Sequence, residues 1–313
     1  MRKCWMALLL CCLLALTGCG ARETQEAEDG RLQIVTTVFP AYDFARAAAG
    51  ELADVRLLLP PGTESHSYEP TPADILAVQE CDLFIYLGGE SDAWVETILS
   101  AADRQGIDLR MLDCVDLLEE ETTEGMETEE HDHGPGDVVE MDEHVWTSPK
   151  NAAAITRAVG AALGQVDPAH GEDFTAGAED YAGEMEALDR EFADFFTSRP
   201  DGVLVFGDRF PLRYFAAEYG VEYYAAFPGC STQTEPSAAT VAFLTELVRD
   251  REVSTVWYIE FSNHLVADSI AEAAGAETAM FHTCHNVTQA EMDGGATYLS
   301  LMQGNLETLR AHF

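Results

Sequence analysis

The sequence predicts an α/β protein of two lobes, each built on a mostly parallel sheet, joined by one long backbone helix. Three observations carry this. Short apolar runs rich in Val, Ile and Tyr alternate with longer stretches of helical periodicity; the alternation stops after Pro168; and past Ser198 it begins again. Strands that alternate with helices pair into a parallel sheet covered on both faces.

In the first series the strands are Leu32–Val38, Val55–Leu59, Leu83–Leu87 and Leu109–Leu112. Helices lie near Tyr42–Leu52, Pro72–Glu80, Asp92–Ala102 and Asn151–Leu163. From Pro168 to Ser198 there are few β-formers, and Tyr181, Met185, Leu188, Phe192 and Phe195 recur at helical spacing. The second series has strands at Val203–Phe206, Val221–Ala225, Thr255–Ile259 and Thr278–Phe281, helices between them, and a last helix near Ala296–Ala311. Residues 32–166 therefore form one lobe, 167–198 the link and 199–313 the second lobe. One segment fits neither lobe. Residues 119–143 hold 12 acids, no Lys or Arg, and the run His131-Asp132-His133-Gly134-Pro135-Gly136. Too charged to pack and too rich in glycine for a continuous helix, the segment is expected to be a mobile loop. It is either an inert solvated insertion or a weak cation trap, since imidazoles among carboxylates bind transition metals.

Residues 1–18 read as a lipoprotein signal peptide. Arg2 and Lys3 precede an apolar run, Cys4–Leu16, that is too short to span a bilayer. Leu16-Thr17-Gly18-Cys19 resembles a bacterial lipobox, which would put lipid on Cys19 and hold the protein at the outer face of a bacterial membrane. Residues 19–31 follow as a flexible tether. The formal charge of −39 deepens to −41 once Arg2 and Lys3 leave with the signal peptide. Such a surface repels phosphate backbones, which excludes nucleic acid as a partner, and it attracts cations. The 47% hydrophobic content argues against a disordered chain.

Four cysteines remain beyond the signal peptide and Cys19: Cys81, Cys114, Cys230 and Cys284. No CxxC spacing occurs, so a thiolate metal cluster is not expected. Outside the cytoplasm a disulfide is permitted. Cys230 and Cys284 both lie past strand ends in the same lobe, so they are the expected pair, the alternative being two separate buried thiols. Their bridge would close a loop of about 55 residues, worth roughly 4 kcal/mol. Cys81 opens one strand and Cys114 closes a neighbouring one, too far apart to bond.

Three stretches bear histidines on loops. His66 lies in Pro60-Pro61-Gly62-Thr63-Glu64-Ser65-His66-Ser67-Tyr68-Glu69-Pro70, directly after a strand. His144 ends the acidic segment in Asp142-Glu143-His144-Val145-Trp146-Thr147-Ser148-Pro149, just before a helix. The third is Phe281-His282-Thr283-Cys284-His285-Asn286, after a strand of the second lobe. The carboxyl ends of the strands are where open α/β sheets hold their ligands. One such histidine would be unremarkable; three on corresponding loops of an acidic chain point to a shared metal site.

Thr36-Thr37-Val38-Phe39-Pro40, then Pro61-Gly62 with His66 and Tyr68-Glu69-Pro70-Thr71-Pro72-Ala73-Asp74, then His144-Val145-Trp146 with Pro149, carry a resemblance. The chain resembles the zinc and manganese substrate-binding lipoproteins of ABC importers, the ZnuA/TroA-like group (cluster A-I), from about Leu32 to its last residue. The match is specific in the first lobe and looser in the second. It implies two (βα)4 lobes, a rigid helix between them, and a Zn2+ or Mn2+ ion buried in the interlobe cleft for delivery to an ABC transporter membrane permease. It assigns first-lobe ligands to His66 and His144, and it likens the acidic loop before His144 to that of the zinc importers.

The second lobe departs from the family pattern. Where a His or Glu ligand usually follows a strand, this chain reads Phe206-Gly207-Asp208-Arg209-Phe210. Aligning the strand puts the ligand at Asp208; aligning Tyr214-Phe215 puts it at Arg209, which has no lone pair to offer. Asp208 is therefore the expected ligand, unless it pairs with Arg209 or Arg213. The family's last carboxylate ligand, counted back from Ala296-Thr297-Tyr298, falls beside His285 and Asn286, and His285 is the better donor. The resemblance thus implies a set of His66, His144, Asp208 and His285, with Glu260 in reserve and His264 and His282 outside. Three imidazoles and a carboxylate suit Zn2+ better than Mn2+. A zinc-dependent hydrolase is the rival reading. The chain has no His-Glu-x-x-His helix, however, and a fourth protein ligand would close the position that catalysis needs open. An adhesin on the same fold is a third reading, with no surface motif behind it. A monomer is expected.

Overall fold

The computed structural model describes residues 30–313 apart from 65–67, 102–103, 128–139, 232 and 234. The signal peptide, Cys19, His66, His131 and His133 lie outside the described residues. Leu32–Phe313 forms one compact unit. Among the described residues no helix is long and apolar enough to cross a membrane.

In the first lobe β1 (Leu32–Thr36), β2 (Ala53–Leu57), β3 (Leu83–Tyr86) and β4 (Ile107–Arg110) alternate with α1 (Phe39–Ala49), α2 (Pro72–Glu80) and α3 (Ala93–Ala101). In the second, β5 (Val203–Phe210), β6 (Glu222–Pro228), β7 (Thr255–Ile259) and β8 (Glu277–Phe281) alternate with α6 (Arg213–Tyr219), α7 (Ala238–Asp250) and α8 (Leu265–Ala274). Between the lobes run α4 (Pro149–Val166) and α5 (Gly171–Thr197), and α9 (Gln289–Asp293) and α10 (Tyr298–His312) close the chain. The strand orders are β2-β1-β3-β4 and β6-β5-β7-β8, and every strand pair is parallel. The same topology is thus used twice. In each sheet the chain steps from the first strand to one side and then to the other, which opens a crevice at the carboxyl ends of the strands.

Local sequence explains most boundaries. Pro40 and Pro149 stand at helix starts, where a missing N–H costs nothing. Thr71 and Asp74 form a capping box on α2, and Ser148 accepts the Asn151 N–H at the start of α4. The link α5 is 27 residues long, about 40 Å at helical rise. Phe174, Ala178, Ala182, Met185, Leu188 and Phe192 make one buried stripe along it. That stripe packs on α4 and α1. Asp43 of α1 then ties three elements together: its Oδ2 accepts from the Tyr181 hydroxyl of α5 at 2.5 Å and from the Tyr298 N–H of α10 at 2.8 Å. Core side chains from both lobes and the link form one continuous cluster.

Two expectations are modified. The acidic segment is fastened at both described ends: Glu119 and Met141 form an antiparallel bridge, and the Glu120 N–H donates to the Glu140 carbonyl at 3.0 Å. The Glu127 N–H also donates to the Ala226 carbonyl on β6 at 3.0 Å, so this stretch spans the lobes. The second modification is in β5, which runs on past Phe206 to Phe210 through a register shift between Phe206 and Arg209. Gly207 lies in that bulge because α8 presses on it; a Cβ there would stand 2.4 Å from the Ala267 Cα.

Candidate metal centre

The loops at the carboxyl ends of the two sheets are sewn together. The Phe39 N–H donates to the His285 carbonyl at 3.3 Å, and the Gly62 N–H to the Val287 carbonyl at 2.8 Å. Asn286 Nδ2 donates to the carbonyls of Pro60 and Thr63, at 2.8 and 2.9 Å. Trp146, fully buried, donates its indole N–H to the Thr283 carbonyl at 2.9 Å and accepts on its own carbonyl from the Tyr298 hydroxyl at 2.7 Å.

On this floor stand two imidazoles, one from each lobe. The ring centroids of His144 and His285 are 5.6 Å apart, and Trp146 packs against both, at 5.5 and 5.0 Å. His144 is buried and His285 partly buried. Both line a cavity of about 20 Å3 with Thr63, Glu64, Arg209 and Glu260. That space admits a water or a bare ion.

His144 is oriented by Asp142, whose Oδ1 accepts the His144 backbone N–H at 2.8 Å and lies 3.1 Å from Nδ1. A proton on Nδ1 shared with Asp142 leaves the ring's lone pair on Nε2, the arrangement in which a carboxylate supports a metal-binding imidazole. Burial disfavours the charged ring, but the carboxylates of Asp142, then Glu143 and Glu120, outweigh it and raise the His144 pKa. Burial also raises the pKa of Glu143 and of Glu120. His285 is placed through a relay in which Glu260 accepts from the backbone and hydroxyl of Thr283, and Thr283 Oγ1 accepts the His285 N–H at 3.3 Å.

Of the expected set, His144 and His285 are brought together. Asp208 is not. Its Oδ1 accepts the Arg209 N–H at 2.8 Å, its Oδ2 faces the Ile259 N–H at 3.5 Å, and the residue lines an adjacent cavity of about 230 Å3. The bulge is the reason, because an extra residue in a strand re-aims the side chains after it. Arg209 faces the His144–His285 cavity instead, with Nη2 2.8 Å from Glu64 Oε2. Burial opposes the Arg209 charge, but Glu64, then Asp208 and Glu260, outweigh it and raise its pKa. Glu260, held in reserve by the sequence, lines the same cavity as the imidazoles. His264 is exposed beside Asp268, and His282 is buried with Nδ1 accepting the Cys284 N–H at 2.9 Å.

The expected Cys230–Cys284 bridge is not formed; all four described cysteines are free. Cys284 is fully buried in the common core with its Sγ 3.8 Å from the His282 carbonyl. Cys230 is elsewhere: burial, and then the carboxylates of Glu143, Asp142 and Glu120, push its thiol up. The alignment on Tyr214-Phe215, which put the ligand position at Arg209, matches where the chain reaches the cavity, while the roles of Glu64 as the partner of Arg209 and of Cys230 as a neighbour of His144 were not foreseen. Only the Asp142-Glu143-His144 spacing carried a signal for the orienting carboxylate.

Fold and centre together define a two-lobed α/β binding protein with an ion-sized site between its lobes. A family model described as zinc-uptake complex component A, periplasmic, matches residues 34–312, and the chain belongs to that family. It is 31% identical over 313 residues to the zinc-binding lipoprotein AdcA of Streptococcus pneumoniae serotype 4, covering 99% of this chain but only 61% of that relative's length. It is also 31% identical over 329 residues to the high-affinity zinc uptake system protein ZnuA of Bacillus subtilis, covering 99% of this chain and 98% of that one. Among solved structures, the Zn(II)-bound ZnuA-like domain of S. pneumoniae AdcA superposes with a TM-score of 0.75 at 29% identity, over 90% of this chain and 99% of that domain.

Proposed function

We propose that this protein captures Zn2+ in the interlobe cleft and delivers it to the membrane permease of an ABC importer, acting as a monomer held by lipid on Cys19 at the outer face of a bacterial membrane. Zinc is cargo here, taken up by His144 and His285 from the two lobes and by His66 from the loop beside Thr63 and Glu64. The observation that carries the reading is the pair of imidazoles on opposite lobes facing one ion-sized cavity, with Asp142 setting the His144 tautomer. Nitrogen donors around a small cavity favour Zn2+ over Mn2+, which prefers oxygen. Each imidazole must be neutral to bind, so affinity falls as the pH is lowered. The His131 and His133 segment supplies weak additional binding. Arg209, opposite the imidazoles, moderates affinity by charge repulsion, which suits a carrier that must also release its cargo.

Calorimetric titration of the chain with zinc tests the reading. One tight equivalent is expected, lost in both His144→Ala and His285→Ala. Wild-type affinity in either variant would remove that histidine from the site.

A further inference from the structure

Beside the cavity, on the side of His144 nearest the acidic segment, is a second group of donors. One carboxylate oxygen of Glu143, one ring nitrogen of His144 and the Cys230 sulfur lie within 4.8 Å of one another. Glu143 and His144 come from the first lobe and Cys230 from the loop after β6 in the second, so the group bridges the cleft. It is closely fitted. Glu143 and His144 are each 1% exposed. Glu143 reaches its position because residue 89 is glycine, for a Cβ there would stand 1.9 Å from Glu143 Oε2. The Ser91 N–H, in turn, donates to that same oxygen at 3.2 Å. The Cys230 N–H donates to Glu120 Oε1 at 3.3 Å, which holds the loop that carries the sulfur.

Two further carboxylates touch the group: Asp142 Oδ1 lies 3.1 Å from His144 Nδ1, and Glu120 Oε1 accepts the Cys230 N–H. Among the described residues neither Glu120 nor Asp142 forms an ion pair with a lysine or arginine. The nearby Arg213 goes to Glu121 and Arg209 to Glu64. Of the second lobe's carboxylates near the cleft, Asp208 faces the adjacent cavity, and Glu260 lines the His144–His285 cavity with both oxygens accepting from Thr283. Cys230 is the sulfur donor that this lobe brings within reach of His144.

We propose that Glu143, His144 and Cys230 form a thiolate-containing cation site that shares His144 with the cavity, so that metal held in the cleft is ligated by the Cys230 sulfur. This rests on the reading of the cleft as a zinc site and names a donor that reading does not require. Ligation exchanges the thiol proton for the metal ion and releases that proton to solvent. A sulfur donor selects Zn2+, Co2+ and Cd2+ and disfavours Mn2+ and Mg2+, which take oxygen. The site would therefore set metal selectivity as well as affinity.

Co2+ is the probe, because thiolate ligation adds a sulfur-to-cobalt charge-transfer band in the near ultraviolet to the visible bands that any bound Co2+ gives. Titration of the reduced full chain should develop both. Cys230→Ser should lose the near-ultraviolet band while keeping the visible ones, and its zinc affinity should fall by at least about tenfold, the lower range for disturbing even an outer partner of a metal. Independently, zinc should protect Cys230 of the wild-type chain from alkylation, read by peptide mass mapping, which needs no variant to fold. Visible bands without the near-ultraviolet band in the wild type, a band that survives in Cys230→Ser, or alkylation of Cys230 unaffected by zinc would each overturn the proposal while leaving zinc capture standing. Absence of any metal binding to the wild-type chain would overturn both.

Discussion

The two lobes share one strand order and differ at the crevice that this order creates. In the first lobe the gap between β1 and β3 is closed by Asp92, whose Oδ2 accepts from the Thr37 hydroxyl at 2.8 Å and from the Leu87 N–H at 2.6 Å. In the second lobe the gap between β5 and β7 belongs to Asp208, which faces backbone N–H groups of Arg209 and Ile259. Both acids serve the sheet. What then reaches the cleft is unlike: the first lobe brings His144 with Asp142 and Glu143, and the second brings His285 with Arg209. A repeated fold therefore supplies two frames, while the loops bring an imidazole flanked by acids from one side of the cleft and an imidazole with Arg209 and Glu260 from the other.

The comparison can be broken most severely at the imidazoles. His144→Ala and His285→Ala should each abolish tight zinc binding, and His66→Ala should do the same; an effect from one lobe only would mean that the lobes do not share the ion. Trp146→Ala removes the fully buried indole that carries both imidazoles and should cost about 3–5 kcal/mol in denaturant unfolding. A loss below about 1 kcal/mol would deny it that role.

Arg209 and Asp208 sharpen the difference. Arg209→Met should raise zinc affinity on the order of tenfold, about 1.4 kcal/mol of relieved repulsion, whereas Asp208→Asn should leave it within about threefold, under 1 kcal/mol. The reverse ranking in competition titrations would restore Asp208 as a ligand. The smallest effect concerns Glu127, whose Oε1 accepts the Ser237 N–H at 2.6 Å and the Thr240 hydroxyl at 2.7 Å at the start of α7. Those hydrogen bonds, first from the Ser237 and Thr240 side, lower its pKa. A lowered carboxylate pKa means that the folded state binds the proton less well than the unfolded chain. This contribution is present above the ordinary glutamate range and is lost as the pH falls through the lowered value. Glu127→Gln should cost about 1 kcal/mol at neutral pH and remove that part of the acid dependence.

Much of this was legible in the sequence. All eight strands were found within a few residues, because a strand buried on both faces must be apolar throughout, as Leu83–Tyr86 is. The link helix could be read from its single apolar stripe. His285 was proposed from its place past a strand end and His144 from its place between the acidic segment and a helix, and the fold brings the two rings together. Asp208 stands apart from the imidazoles because of a bulge, a change in backbone count that leaves no mark in residue type; only Gly207 hinted at it. The disulfide was misjudged for a related reason. Lying past strand ends places Cys230 and Cys284 on one side of a sheet but does not say that one thiol turns into the core and the other toward Glu143.

The central claim is that one zinc ion is held between the lobes by His144 and His285. Anomalous diffraction at the zinc edge from crystals of the zinc-loaded protein tests it most directly. The account predicts one dominant peak, with a ring nitrogen of each histidine at about 2.0–2.1 Å. A dominant peak ligated by Asp208 in the adjacent cavity, or bound by residues of one lobe alone, would contradict it.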